Sequence, residues 1–432
     1  MVKQGGSSNN VDSALGTENS TTSALKNDPH SQPPGEQIAG GILHPISLEN
    51  FFSAYWGVKP LHIARSESNP FSALVAETDI EQILSSRRLF FPNVQLTKRD
   101  TQIASVDYTD ENDEIVAGRV VDFFNQGATL VLSHAQRLHA PLMNLCRQIQ
   151  ASFCMASQTN LYLSPPGQQG FKPHYDTHDV FVLQVSGSKT FHFFNSRVEN
   201  PTGKHRFDHS TFNVAEKTEQ IKLTAGDTLY IPRGMVHDAV ADDQQSSLHI
   251  TLGVYPVLLN DLVMQCLEDA IDHDARLRSA VLARHFDGPA LLQQVRSVVN
   301  DNINLENVEN AFNHLLDSMA LDQTEDVQGL LNAVPLSAQL EHASLLKVNA
   351  EQILSIDRQG DLLKIRMNGR VNEFTGAVAA AVNWLLSHGS GRVSALPGLD
   401  TTQQLALSRQ LLQLKMVTHQ QGVSGITNAE DV

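Results

Sequence analysis

Apolar and polar positions divide the chain into four textures. Residues 1–38 are rich in Ser, Asn, Gly, Thr and Pro and carry almost no large apolar side chains. Such a segment cannot bury enough apolar surface to offset its ordering entropy, so a disordered tail is expected. The pattern becomes periodic near Ile42. Leu48-Glu49-Asn50-Phe51-Phe52 with Tyr55-Trp56 predicts a short amphipathic helix, and Lys59-Pro60-Leu61-His62-Ile63 a proline-led strand. A helix is predicted over 79–87 and a buried strand over 127–132. Leu142, Leu145, Ile149 and Phe153 recur at helical spacing, which predicts a helix from Leu138 to Phe153.

From 158 to 255 short strand-like runs alternate with Gly, Pro, Ser and Asn turns: 160–164, 180–186, 189–194, 219–224, 227–231 and 247–255. That spacing predicts an antiparallel sandwich or barrel. After Pro256 the period changes to helical, over 257–271, 289–300 and 304–319. A polar connection at 320–345 leads to two strand-like runs, 347–356 and 361–367, an Asn368-Gly369 turn, and helical patterns at 374–387 and 401–415. A small α+β unit closes the chain.

The chemistry gathers in 172–189, Lys-Pro-His-Tyr-Asp-Thr-His-Asp-Val-Phe-Val-Leu-Gln-Val-Ser-Gly-Ser-Lys. His174-x-Asp176 stands at the mouth of the Val180–Val185 strand, where two donors can point at one metal. A third candidate, His237, follows the strand and turn of Leu229-Tyr230-Ile231-Pro232-Arg233-Gly234. Two His and one carboxylate make the facial triad of non-haem Fe(II) oxygenases. A lone His-x-Asp is weak: with 18 histidines about one is expected by chance, and His285-Phe286-Asp287 in the helical region is such a decoy. Spacing alone leaves both a triad and ordinary core and turn histidines open. Lys189 begins the next strand and would serve as a fixed cation for a dicarboxylate that chelates the metal at its other end. As a lone residue it would read as a solvated strand-edge lysine. Asn160 and Tyr162 face one side of a strand and are candidates for hydrogen-bonding a carboxylate or supporting the metal ligands. His178 and Asp179 read as flanking structure and Asp227 as turn chemistry, while His249, Thr251 and Gly253 share a polar face.

Composition narrows the classes. The 432 residues allow two or three domains, and 41% hydrophobic residues suffice for a sizeable core. No apolar run approaches the length of a membrane span, and no charged-then-apolar signal opens the chain, so a cytoplasmic protein without membrane partners is expected. Cys146, Cys154 and Cys266 are scattered and form neither a zinc site nor a disulfide framework. The net charge of −16 makes direct nucleic-acid binding unexpected and suits a basic protein partner better.

In combination these residues resemble a known family. Asn160-Leu161-Tyr162-Leu163-Ser164-Pro165-Pro166-Gly167, then Pro173-His174-Tyr175-Asp176, Phe181-Val182-Leu183-Gln184, Lys189, and Gly226 to Gly234 ending in His237, resemble the JmjC-type ribosomal oxygenases of the cupin superfamily. Tyr55 to Leu61 is similar to that family's opening segment. The resemblance covers about residues 45–255. It implies an α+β protein: a double-stranded β-helix (the cupin/JmjC barrel) as catalytic domain over 39–256, a helical dimerisation domain over 257–335, and a winged-helix-like domain over 336–432. It implies Fe(II) on His174, Asp176 and His237. It also implies 2-oxoglutarate as co-substrate on Lys189, with support from Asn160 and Tyr162. The implied activity is hydroxylation of a histidine or arginine side chain in a protein, with ribosomal proteins as family targets, by a homodimer. Some members carry a serine where this chain has Gly253. A tailoring hydroxylase of a small peptide or metabolite, an N-methyl demethylase, and a non-enzymatic cupin-fold binding or regulatory protein are the competing readings.

Overall fold

The computed structural model describes residues 41–65, 68–322, 330–367 and 369–420. The expected tail over 1–38 and Asn368 of the expected turn lie outside the described residues. Helix α1 (Leu48–Ala54) starts at Ser47, whose hydroxyl accepts the Asn50 N–H, and it buries Phe51. Strand β1 (Leu61–Ile63), α2 (Glu77–Ser86), β2 (Val94–Thr97), α3 (Ala117–Asn125) and β3 (Thr129–Leu132) follow. Helix α4 (Ala140–Phe153) has proline in its first turn and buries the predicted stripe Leu142, Leu145, Ile149 and Phe153. Seven strands then run almost without helix: β4 (Ala156–Ser164), β5 (Asp179–Ser186), β6 (Ser188–Arg197), β7 (Lys217–Thr224), β8 (Thr228–Ile231), β9 (Met235–Ala241) and β10 (Ser247–Tyr255).

The strands form two antiparallel sheets. One has seven strands in the order β1-β8-β5-β10-β4-β3-β2, the other three in the order β7-β6-β9. They pack face to face: Val180 and Val182 of β5 and Leu229 and Ile231 of β8 bury against Phe191 and Phe193 of β6 and Leu223 of β7. The other face of the large sheet packs on α1 and α4. There Phe51 is the hub of an aromatic cluster with Phe52, Trp56, Phe153, Phe181 and Tyr230.

The expected double-stranded β-helix, a closed cupin/JmjC barrel, is not what the strands form, although the α+β class holds. A barrel needs an unbroken ladder. The segment 165–178, which leaves the large sheet at β4 and returns to it at β5, contains Pro165, Pro166 and Pro173, which donate no N–H. It reaches the small sheet only through the isolated bridges Gln169↔Val240 and His174↔His237. The large sheet therefore keeps β1 and β2 as edges.

Beyond Tyr255 the structure is helical through α5 (Leu259–Ala270), α6 (Gly288–Asn302) and α7 (Leu305–Leu321). A second core, from Leu340 to Val417, follows. The elements around it are α8 (Ala333–Ala338), the strands β11 (Leu345–Val348), β12 (Ile353–Gln359), β13 (Leu362–Met367), β14 (Arg370–Thr375), β15 (Ser390–Arg392) and β16 (Val417–Gln420), and the helices α9 (Gly376–His388) and α10 (Thr401–Gln413). Six strands in two sheets stand where two were expected. The run 347–356 is broken by a 3-10 turn at Ala350–Gln352, and 370–375 pairs with β13 instead of opening a helix. Arg366 ties this core to α7. Its guanidinium is fully buried and donates to Asp317 Oδ1 at 2.5 Å and Asn313 Oδ1 at 3.0 Å.

Candidate metal centre

His174 and Asp176 lie in the irregular segment before β5, and His237 lies in β9. Two reciprocal backbone hydrogen bonds join them: His174 N–H donates to the His237 carbonyl at 3.0 Å, and His237 N–H to the His174 carbonyl at 2.8 Å. The Gly234 N–H donates to the Asp176 carbonyl at 2.9 Å. Gly234 has φ +80°, and a Cβ there would run into the Val198 carbonyl oxygen, so only glycine makes this turn. Tyr175, between the two candidate ligands, is anchored inward by its hydroxyl on the His205 carbonyl at 2.9 Å and by the Phe207 and Phe212 rings.

These contacts bring one donor atom each of His174, Asp176 and His237 within 4.8 Å of one another, and no other such group of three gathers among the described residues. The imidazoles are already oriented. Nδ1 of His174 faces the Lys172 carbonyl at 2.9 Å and Nδ1 of His237 the Met235 carbonyl at 3.0 Å. A carbonyl only accepts, so Nδ1 carries a proton and Nε2 is the nitrogen left for a metal on each ring. Burial, then the neighbouring His174, hold His237 below the ordinary histidine value, which keeps it in the neutral, ligating form. Burial pushes the Asp176 carboxyl up, but positive charge carried by any of its neighbours His174, His237 and His178 pulls it down, and the net shift is downward. Asp238 also faces the pocket, yet its oxygens are taken by His192 Nδ1 at 2.7 Å and Gln169 Nε2 at 3.0 Å.

Lys189, in β6, points into the same pocket from the opposite end. It is 4% exposed, its Nζ donates to Ser164 Oγ at 3.0 Å, and Ser164 in turn accepts from Thr129. Among the described residues no carboxylate pairs with it, and burial pushes its ammonium down to about 7. Tyr162 stacks flat on His249 at 4.9 Å, and burial raises its hydroxyl. The His249 ring is buried, its Nδ1 has no hydrogen-bond partner among the described residues, and burial with the Lys189 charge keeps it neutral. Asn160 is the one predicted site residue that does not line the pocket. Its Oδ1 accepts from the His134 N–H at 3.0 Å and from Gln158 Nε2 at 3.1 Å, and it stands beside the Tyr162 hydroxyl.

Sequence reasoning missed Ser164 and Thr129 as partners of Lys189. The signal for Ser164 was present, since Asn160, Tyr162 and Ser164 alternate onto one face. Thr129 had none, because only the pairing of β3 with β4 brings it there. Asp227 is turn chemistry as read: its carboxylate accepts from Thr224 and Arg65 N–H groups at 2.9 and 2.8 Å. In the decoy, Asp287 caps α6.

Residues 132–262 match the JmjC domain family. Curated relatives include proteins named "Bifunctional lysine-specific demethylase and histidyl-hydroxylase NO66". The one from Drosophila sechellia is 31% identical over 291 residues, 65% of this chain and 43% of that protein. The one from Dictyostelium discoideum is 30% identical over 243 residues, 54% of this chain and 46% of that protein. The chain thus spans less than half the length of these relatives. Among solved structures, the ribosomal oxygenase YcfD from Escherichia coli in complex with cobalt and 2-oxoglutarate superposes with a TM-score of 0.52 at 15% identity. That match covers 87% of this chain and 99% of YcfD, and at this identity it speaks to fold. Through residues 132–262 the chain is therefore similar to the JmjC domain family.

Proposed function

We propose that this chain is an Fe(II)- and 2-oxoglutarate-dependent oxygenase that hydroxylates a histidine or arginine side chain in a protein, with ribosomal proteins as the first candidates. One observation carries the reading. A two-histidine, one-carboxylate donor set, each imidazole turned with Nε2 away from its backbone contact, shares a pocket with a buried ammonium that has no carboxylate partner among the described residues. The donor set fits Fe(II). The lone cation fits the far carboxylate of 2-oxoglutarate, because a buried charge is costly until it is paired.

His174, Asp176 and His237 would hold the metal. Lys189 with Ser164 would hold the co-substrate, with Tyr162 lining its channel and Asn160 bracing Tyr162. When bound, iron with 2-oxoglutarate and O2 supplies the oxidising power to insert one oxygen into a C–H bond. The apolar walls, Val180, Val182 and Phe191, exclude water from that step. The test is an incubation of purified protein with Fe(II), 2-oxoglutarate and ribosomal protein extract, read by peptide mass spectrometry against His174→Ala. The expected result is a gain of one oxygen on a ribosomal peptide, absent in the variant. A second reading comes from the relatives, whose name joins hydroxylase to lysine demethylase. Loss of a methyl group instead of gain of oxygen would select it. Succinate formation with no change on any protein would leave an oxygenase of a small peptide or metabolite.

The helical segment 257–335 we read as a dimerisation module. It exposes Leu259, Val281, Leu282, Phe286, Leu292 and Leu305, each at least half exposed, more apolar surface in one region than a monomer usually shows. Phe286→Asp with Leu282→Asp should convert a dimer of the 47.4 kDa chain to monomer by light scattering. A wild-type protein that elutes as a monomer would refute the dimer. A cytoplasmic location fits three unpaired cysteines, and among the described residues no helix is long and apolar enough to cross a membrane. The net charge of −16 argues against direct nucleic-acid binding.

A further inference from the structure

We propose that His178 receives and orients the substrate's target side chain, and that position 253 is glycine to make room for it. This rests on the oxygenase reading and adds a substrate-positioning residue to it. Along β10, His249, Thr251, Gly253 and Tyr255 alternate onto one face. His249 and Thr251 line the pocket that holds the candidate ligands and Lys189. Tyr255, further along, lines a neighbouring groove of about 550 Å³ with Arg137, Gln158 and Met319. Gly253 therefore lies on the strand between a residue of that pocket and a residue of the groove.

The space over Gly253 belongs to His178. A Cβ at 253 would lie 2.8 Å from His178 Cδ2, 2.9 Å from its Nε2 and 3.2 Å from the Tyr255 hydroxyl. Gly253 does not occupy the left-handed region, so the glycine serves space and not backbone conformation. The His178 ring lies on the Tyr255 ring with centroids 4.7 Å apart and planes 18° apart. Among the described residues none hydrogen-bonds the His178 imidazole. A ring held flat from one side, two residues from Asp176, and without a polar partner is an oriented and unused hydrogen-bonding group. A neutral imidazole donates from one nitrogen and accepts at the other. Backed by Tyr255, it suits a flat, nitrogen-bearing side chain that can both stack and hydrogen-bond. A histidine with a merely structural role would instead spend its nitrogens on protein partners.

The test uses the full chain loaded with Mn(II), which binds without turnover. The probes are 2-oxoglutarate and synthetic peptides with a central His or Arg, followed by fluorescence anisotropy. His178→Ala and Gly253→Ala should each weaken peptide binding roughly tenfold, the value of about one lost hydrogen bond with its stacking. His178→Asn should recover part of the loss, and 2-oxoglutarate affinity should stay within about twofold of wild type. His178→Ala removes a partly exposed side chain, so it remains informative if Gly253→Ala fails to fold. Peptide affinity unchanged in His178→Ala overturns the proposal. So does a wild-type protein that binds 2-oxoglutarate and no peptide, which would leave the oxygenase reading standing. Wild type that binds neither metal nor 2-oxoglutarate overturns that reading and this inference with it.

Discussion

Asp176→Ala should lose metal affinity and turnover together, each by more than about a hundredfold. Changes to groups that merely support a ligand already cost about 10–100-fold, and removing a ligand costs more. Asp176 is the one carboxylate of the donor set, and its loss leaves two neutral imidazoles to hold a dication. Asp238 cannot substitute while His192 and Gln169 engage it. The fold should survive, because the local backbone is held by Tyr175 and by the Gly234 N–H on the Asp176 carbonyl. Calorimetric titration with Mn(II) measures affinity, and succinate formation with Fe(II) measures turnover. An Asp176→Ala protein with wild-type values of both would remove the metal centre from consideration.

Lys189→Met should weaken 2-oxoglutarate binding by about a hundredfold while making the ligand-free protein more stable. The loss is that of a buried charge-assisted hydrogen bond, on the order of 3 kcal/mol. The gain in stability follows from the same burial, since an unpaired ammonium is replaced by an apolar chain of similar length. A rise in melting temperature with a rise in the 2-oxoglutarate dissociation constant would separate this role from general structural damage. The pH dependence has a definite sign. Free Lys189 loses its proton as pH rises through about 7, and a bound carboxylate requires the proton to be present. Wild-type affinity should therefore fall above pH 7, by at most about tenfold per unit, and Lys189→Met should lack that slope. A variant with unaltered 2-oxoglutarate affinity would return Lys189 to a structural role.

Much of the candidate metal centre could be read from short-range pattern. His174 and Asp176 are two residues apart before an apolar strand, and that spacing survives in any register. His237 was legible through the Pro232-Arg233-Gly234 turn, though not as part of a strand, because Met235–Ala241 is short and broken by His237 and Asp238. Lys189 was legible from its place at a strand start. Asn160 shares a face with Tyr162, yet it turns to His134, since the backbone of the 3-10 turn after β3 lies within its reach.

By themselves, the residues determined most helices and the strand-rich stretch 156–255, the α+β class, and which side chains can offer ligand chemistry, because periodicity and residue type are local properties. Three matters were decided only by tertiary structure. The strands closed into two stacked sheets and no barrel, because proline-rich 165–178 bridges them at isolated points and ladder continuity depends on partners distant in sequence. Lys189 found Ser164, itself held by Thr129, and no carboxylate among the described residues, a pairing set by which strands lie side by side. His178 came to rest over Gly253 against Tyr255, a contact between positions 75 and 77 residues apart, and only close packing decides which ring fills the space a missing side chain leaves.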